Sequence, residues 1–159
     1  MERAHKYEFE GKVRYSEIDH RATMTLPALI NYFQDCSTFQ SEELGIGVEY
    51  LKEKGRLWVL TSWQIRIFRY PSLGEEVRTG TWACGFHGFV GMRNFVMETV
   101  EGEMLACAYS EWAYMDPVAG RLSVRTQGKS NGTAWKSRWK WSTQAEKSLC
   151  PESRGFWIL

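Results

Sequence analysis

One stretch of this chain obeys the helical period, and nearly everything around it obeys the period of a strand. Leu26, Leu29, Ile30, Phe33 and Cys36 recur at helical spacing, which places them on a single face. Thr25 is available as the N-cap, Pro27 is tolerated in the first turn, and Gly45 supplies a stop. A shorter helical piece is expected over residues 48–54, ended by Gly55. Residues 58–70, 76–84, 89–100 and 104–115 are then rich in β-branched and aromatic residues, as strands are. Turn material separates them: Pro71-Ser72-Leu73-Gly74, Gly85-Phe86-His87-Gly88 and Glu101-Gly102. Ahead of the helix, Tyr7, Phe9, Val13 and Tyr15 come close to alternation and predict a first strand. A lone helix with one apolar stripe must hide it against something, and here only a sheet is on offer. The order therefore predicts an α+β domain in which an antiparallel sheet wraps one long helix, β-α-β-β-β-β.

The charges divide the chain near Gly120. Residues 1–120 carry 12 basic and 17 acidic side chains, and residues 121–159 carry 8 and 2. A domain surface normally mixes both signs, so residues 1–122 are expected to be the folded unit and residues 123–159 a basic, Trp-rich tail. In that tail the run Trp135-Lys136-Ser137-Arg138-Trp139-Lys140-Trp141 sustains neither period. Two accounts stand for it: a surface for single strands of nucleic acid or for an acidic carrier, or an irregular or out-of-frame end. Cys36, Cys84, Cys107 and Cys150 show no zinc or redox spacing, and the three histidines are scattered. No metal, cofactor or nucleic-acid partner is expected. No run reaches the length of a membrane span or a signal core, so a soluble cytoplasmic protein is the expectation.

Specific words carry chemistry that periodicity does not. Val13-Arg14-Tyr15-Ser16-Glu17-Ile18-Asp19 is followed by Leu29-Ile30-Asn31-Tyr32-Phe33-Gln34-Asp35, by Leu57-Trp58-Val59-Leu60-Thr61-Ser62-Trp63-Gln64-Ile65 and by Arg69-Tyr70-Pro71. Gly80-Thr81-Trp82, Gly91-Met92-Arg93-Asn94 and Ser110-Glu111-Trp112 complete the series. In this order, over residues 7–122, the chain resembles the first half of the acyl-ACP thioesterases. The resemblance implies a hot-dog fold and hydrolysis of fatty acyl groups from acyl carrier protein in fatty acid biosynthesis. Members of that family are usually two hot-dog repeats in tandem, and their Asp-x-Asn-x-His catalytic element belongs to the second. No such element stands here, so none of the family's catalytic residues is carried onto this sequence. The first repeat mainly shapes the acyl pocket.

Among the residues themselves, Asp19 precedes the helix where many single-repeat hot-dog thioesterases hold a catalytic aspartate. Thioester cleavage needs a carboxylate to attack or to activate water, and N–H donors for the oxyanion. Asp19 equally suits a turn that satisfies backbone donors. Asp35 and Glu43 lie on or near the helix, as a base or as solvated positions; His20 and His87 sit in turns. Phe33, Trp63, Trp82, Phe95 and Trp112 are candidates to line an acyl tunnel or to form ordinary core. Two alternatives to hydrolysis remain: a non-catalytic acyl-binding domain, and a dehydratase of hydroxyacyl thioesters, against which stands the lack of a His-Pro-Gly word. A lone repeat leaves a sheet edge uncovered, so a homodimer is expected, acting on acyl carrier protein charged with a fatty acyl chain.

Overall fold

The computed structural model describes residues 6–122 and the backbone of Trp157 and Ile158. Its first strand, β1 (Tyr7–Lys12), leads to the long helix α1 (Leu26–Glu43) and the short helix α2 (Val48–Glu53). Four long strands follow: β2 (Leu57–Ile67), β3 (Glu76–His87), β4 (Val90–Thr99) and β5 (Met104–Asp116). Two-residue strands β6 (Arg121–Leu122) and β7 (Trp157–Ile158) complete the described elements. The long strands run in the order β1-β3-β4-β5-β2, every pairing antiparallel. β6 extends β5, and β7 pairs with β2 at Gln64 and Ile65. This is the helix-in-sheet topology expected from the element order. The rest of the basic tail lies outside the described residues.

Helix α1 begins where Thr25 Oγ1 accepts from the Ala28 N–H at 3.3 Å, with Pro27 in the first turn. It stops at Gly45, whose φ of 67° an L side chain rarely adopts. The stripe it buries is Ala28, Leu29, Tyr32, Phe33, Cys36 and Gln40. Phe33 meets Trp63 and Phe95, with ring centroids 6.0 and 5.1 Å away, and those two rings lie 5.0 Å apart. Around this trio pack Val13, Met24, Met97 and Leu105, all essentially buried.

Strand ends differ from the expectation where backbone groups find other partners. The first strand stops at Lys12, because Val13 exchanges hydrogen bonds with the loop that joins β2 to β3, its N–H donating to Glu75 O and its carbonyl accepting from the Gly74 N–H. Tyr15 therefore leaves the sheet for a 3-10 turn and stands 83% exposed. β2 ends at Ile67, since the N–H groups of Phe68 and Arg69 both turn to Leu105 O. β3 continues through the expected turn to His87, with a bulge between Ala83 and Gly85, and Gly88 at φ 62° helps close a tight hairpin.

Candidate functional site

Asp19 lies in the turn that delivers the chain to α1. The Asp19 N–H donates to Thr23 O and the Ala22 N–H to Asp19 O, closing the turn, with Ala22 at a φ of 58°. Its carboxylate accepts from the Arg21 N–H at 2.9 Å, from Arg21 Nε and Nη2 at 3.0 and 2.8 Å, and from Thr23 Oγ1 at 3.3 Å. The hydrogen bonds from the Arg21 side chain hold its pKa at about 2. Both carboxylate oxygens are engaged within the turn.

A second acidic group, Glu17, lies two residues before it. Glu17 accepts from Arg14 N, Nε and Nη2 at 2.8, 2.8 and 2.6 Å and from the Tyr32 hydroxyl at 3.1 Å. Burial pushes its pKa up, but the hydrogen bonds from Arg14 and Tyr32 outweigh that and leave it below the ordinary value. Burial, with the neighbouring Glu17 charge, raises the Tyr32 hydroxyl to about 12. Asp35 is exposed on α1, within electrostatic reach of Arg14. Glu43, His20 and His87 are exposed as well.

A concavity lies elsewhere, beside the C-terminal half of α1. A cavity of about 520 Å³ opens between α1, α2 and the far ends of β2 to β5. Gln34, Ser37 and Ser41 give it one polar wall, at helical spacing along α1. Trp58, Phe86 and Trp112 give it an aromatic wall. The two serine hydroxyls donate to the helix's own carbonyls, Ser37 to Gln34 O and Ser41 to Ser37 O, so the polar wall is less thirsty than its composition suggests. Gly91 makes the aromatic wall possible: a Cβ there would stand 2.9 Å from Phe86 Cε1 and 3.2 Å from Trp58 Cζ3. Among the described residues lining the cavity there is no carboxylate, and neither Asp19 nor Asp35 borders it.

Of the aromatic residues expected at an acyl tunnel, Trp112 borders this cavity, its indole N–H donating to Ser110 Oγ at 2.7 Å. Phe33, Trp63 and Phe95 are the core trio, and Trp82 belongs to a separate cluster with Val96 and Cys107. Trp58, Phe86 and Arg93 border the cavity as well. The sequence signal for Trp58 and Phe86 is Gly91, since a glycine inside a strand marks close approach by another group.

Arg93 is 8% exposed, and Nη1 donates to Gln40 Oε1 and to Thr81 Oγ1, the latter at 3.1 Å. Burial lowers its pKa to about 10, so it keeps its charge at neutral pH. None of the described helices is long and apolar enough to cross a membrane, and no group of histidine, cysteine or acidic residues among the described residues is arranged to hold a metal.

Comparison with known proteins agrees with this geometry. The family model of the acyl-ACP thioesterase N-terminal domain matches residues 4–127. The palmitoyl-acyl carrier protein thioesterase of Gossypium hirsutum chloroplasts is 29% identical over 119 residues, covering 70% of this chain and 29% of that protein. An oleoyl-acyl carrier protein thioesterase of Arabidopsis thaliana chloroplasts is 26% identical, covering 73% and 34%. This chain thus spans about a third or less of these curated relatives' length. Among solved structures, a putative oleoyl thioesterase of Lactobacillus plantarum superposes with a TM-score of 0.73 at 28% identity, over 75% of this chain and 46% of that one. A 1,4-dihydroxy-2-naphthoyl-CoA thioesterase of Synechocystis, at 10% identity, shares the fold with a TM-score of 0.72 over 84% of this chain and 94% of its own. With a match over most of its length and the hot-dog fold to go with it, this chain belongs to the acyl-ACP thioesterase family, as its N-terminal domain.

Proposed function

We propose that this chain serves the hydrolysis of acyl-ACP to free fatty acid and carrier, and that its cavity holds the acyl chain during that reaction. The cavity carries this reading: it is of ligand size, walled on one side by aromatic rings, and set in the domain that matches the family. Thioester cleavage further needs a carboxylate to deliver or activate the nucleophile, and Asp19 remains the proposed one. Its support is that it precedes α1, whose first N–H groups favour developing negative charge. Asp35 stands behind it as the alternative.

A second reading, acyl binding without hydrolysis by this chain, is favoured by the cavity walls, which carry no carboxylate among the described residues. Assay of the purified chain with acyl-ACP and acyl-CoA separates the two. Release of free thiol with the ACP substrate supports hydrolysis, whereas saturable fatty-acid binding with no thiol release supports the second reading. The proposal also includes a homodimer in the cytoplasm. The free buried thiol of Cys36 is in keeping with a reducing compartment.

A further inference from the structure

The outer edge of β2 has two claimants. On its inner side β2 pairs with β5 from Leu57 to Ile67. On the other side the described pairing is two residues long, Gln64 opposite Ile158 and Ile65 opposite Trp157, both of them in β7. Among the described residues, no strand pairs with residues 57–63 on that side. Backbone N–H and C=O groups along such an edge are a template for any strand that reaches them. β7 reaches them from within the chain, joined to Leu122 at the end of β6 through residues 123–156. A second copy reaches them from solution, as in the homodimer proposed above.

Magnitudes decide how the edge is shared. A covalently joined segment meets its target at an effective concentration on the order of millimolar, about a thousandfold above a protein at micromolar concentration. β7 therefore holds the two positions it pairs with against a strand arriving from solution. It offers only those two, whereas a copy of β2 offers eleven residues, so the copy prevails where β7 does not reach. We propose that β7 is an edge stop, which keeps Gln64 and Ile65 from the partner strand and confines the dimer to residues 57–63 of β2. The stop also sets the register. A strand paired antiparallel with its own copy is centred on the middle of the shared stretch, which is Leu60 for residues 57–63 and Ser62 for residues 57–67. The inference rests on the reading of the chain as a homodimer.

Two measurements on the full 159-residue chain test it. Sedimentation over a dilution series gives the dissociation constant of the dimer, and hydrogen exchange of residues 62–66 reports what covers that part of the edge. Trp157→Pro with Ile158→Pro removes the β7 N–H donors and bars both residues from a ladder. The dimer of this double variant is expected to be about tenfold tighter, or about 1.4 kcal/mol, with protection of residues 62–66 that now grows with protein concentration. An unchanged or weaker dimer overturns the stop. Should the double variant not fold, the wild type decides. Protection of residues 62–66 that is the same at every concentration supports the stop, and protection that rises with concentration means that a copy covers them and overturns it. Val59→Lys, on the free part of the edge and 38% exposed in the wild type, tests the underlying reading by bringing a cation from each copy to the shared strand. It is expected to weaken the dimer at least tenfold. A dimer indifferent to Val59→Lys, or a wild type that stays monomeric at every concentration, removes the dimer along β2 itself, and the stop with it.

Discussion

Asp19 and Arg21 form a self-contained ion pair in a turn, and its pH dependence follows from that geometry. With the folded pKa held at about 2 by Arg21, the unfolded chain binds more protons than the folded one between the ordinary aspartate range and that value. Stability from this contact is therefore complete above the ordinary range and is lost as the pH falls toward about 2. Acid denaturation followed by circular dichroism should show a shallower loss in this window for Asp19→Asn than for the wild type. At neutral pH the same variant is expected to melt only slightly lower, because the Arg21 side of the pair stands in solvent, which screens it. Turnover on acyl-ACP is the separate reading: a fall of at least tenfold, about 1.4 kcal/mol of barrier, keeps Asp19 in the chemistry, and equal turnover leaves it to the turn. Gly91 makes a second prediction at this scale. Gly91→Ala must push Phe86 or Trp58, which brace each other at 5.7 Å between centroids. It is expected to cost about 1–3 kcal/mol in a urea titration and to weaken fatty-acid binding by shrinking the cavity.

Helix α1 does two jobs with two faces. The stripe from Ala28 to Gln40 closes the core, and the neighbouring stripe of Gln34, Ser37 and Ser41 walls the cavity. Its start depends on Thr25, whose side chain caps Ala28 and whose N–H donates to Glu17 O, linking the helix to the Arg14–Glu17–Tyr32 cluster. Thr25→Ala is expected to lower stability by about 1 kcal/mol, read as a drop in denaturant midpoint with no change in slope. Phe33→Ala removes the ring that joins helix to sheet and should cost about 3–5 kcal/mol. At the same end, where the β2–β3 loop packs on the turn leading into α1, Arg69 ties that loop to the β4–β5 hairpin through Glu75 at 2.7 Å and Glu103 at 2.8 Å. Those hydrogen bonds, donated first to Glu103 and then to Glu75, raise the guanidinium pKa further.

For the whole molecule, β2 is the strand at which the proposed dimer would join. It pairs with β5 along one side, while on the other β7 meets only Gln64 and Ile65. The N-terminal part of that edge, with Val59 38% exposed, presents unpaired backbone groups among the described residues, a template for another strand. A two-fold homodimer joined along β2 would pair it. Light scattering at micromolar concentration is expected to give twice the chain mass, and a stable monomer would count against the dimer.

Element order, the helix with its cap and stop, and the antiparallel sheet around it were readable in the sequence because each rests on neighbours a few residues apart. Val13 and Tyr15 mark where that reading ended: alternation assigned both to a strand, yet one is buried and the other exposed, because the Val13 backbone hydrogen bonds go to the loop at residues 74–75 rather than to a strand partner. The candidate site was less readable. On β4, residues 93–97 are buried without alternation, so nothing local separates Arg93 from a surface arginine or tells Phe95 in the core from Met92 beside the cavity. Gln40 meets Arg93 across 53 residues of chain, and Phe86 meets Trp58 across the sheet. The sequence by itself determined which elements form and which family they belong to. Only the tertiary structure decided where the cavity lies and what bounds it, because a cavity is the space left between elements, and its walls are chosen by packing rather than by period.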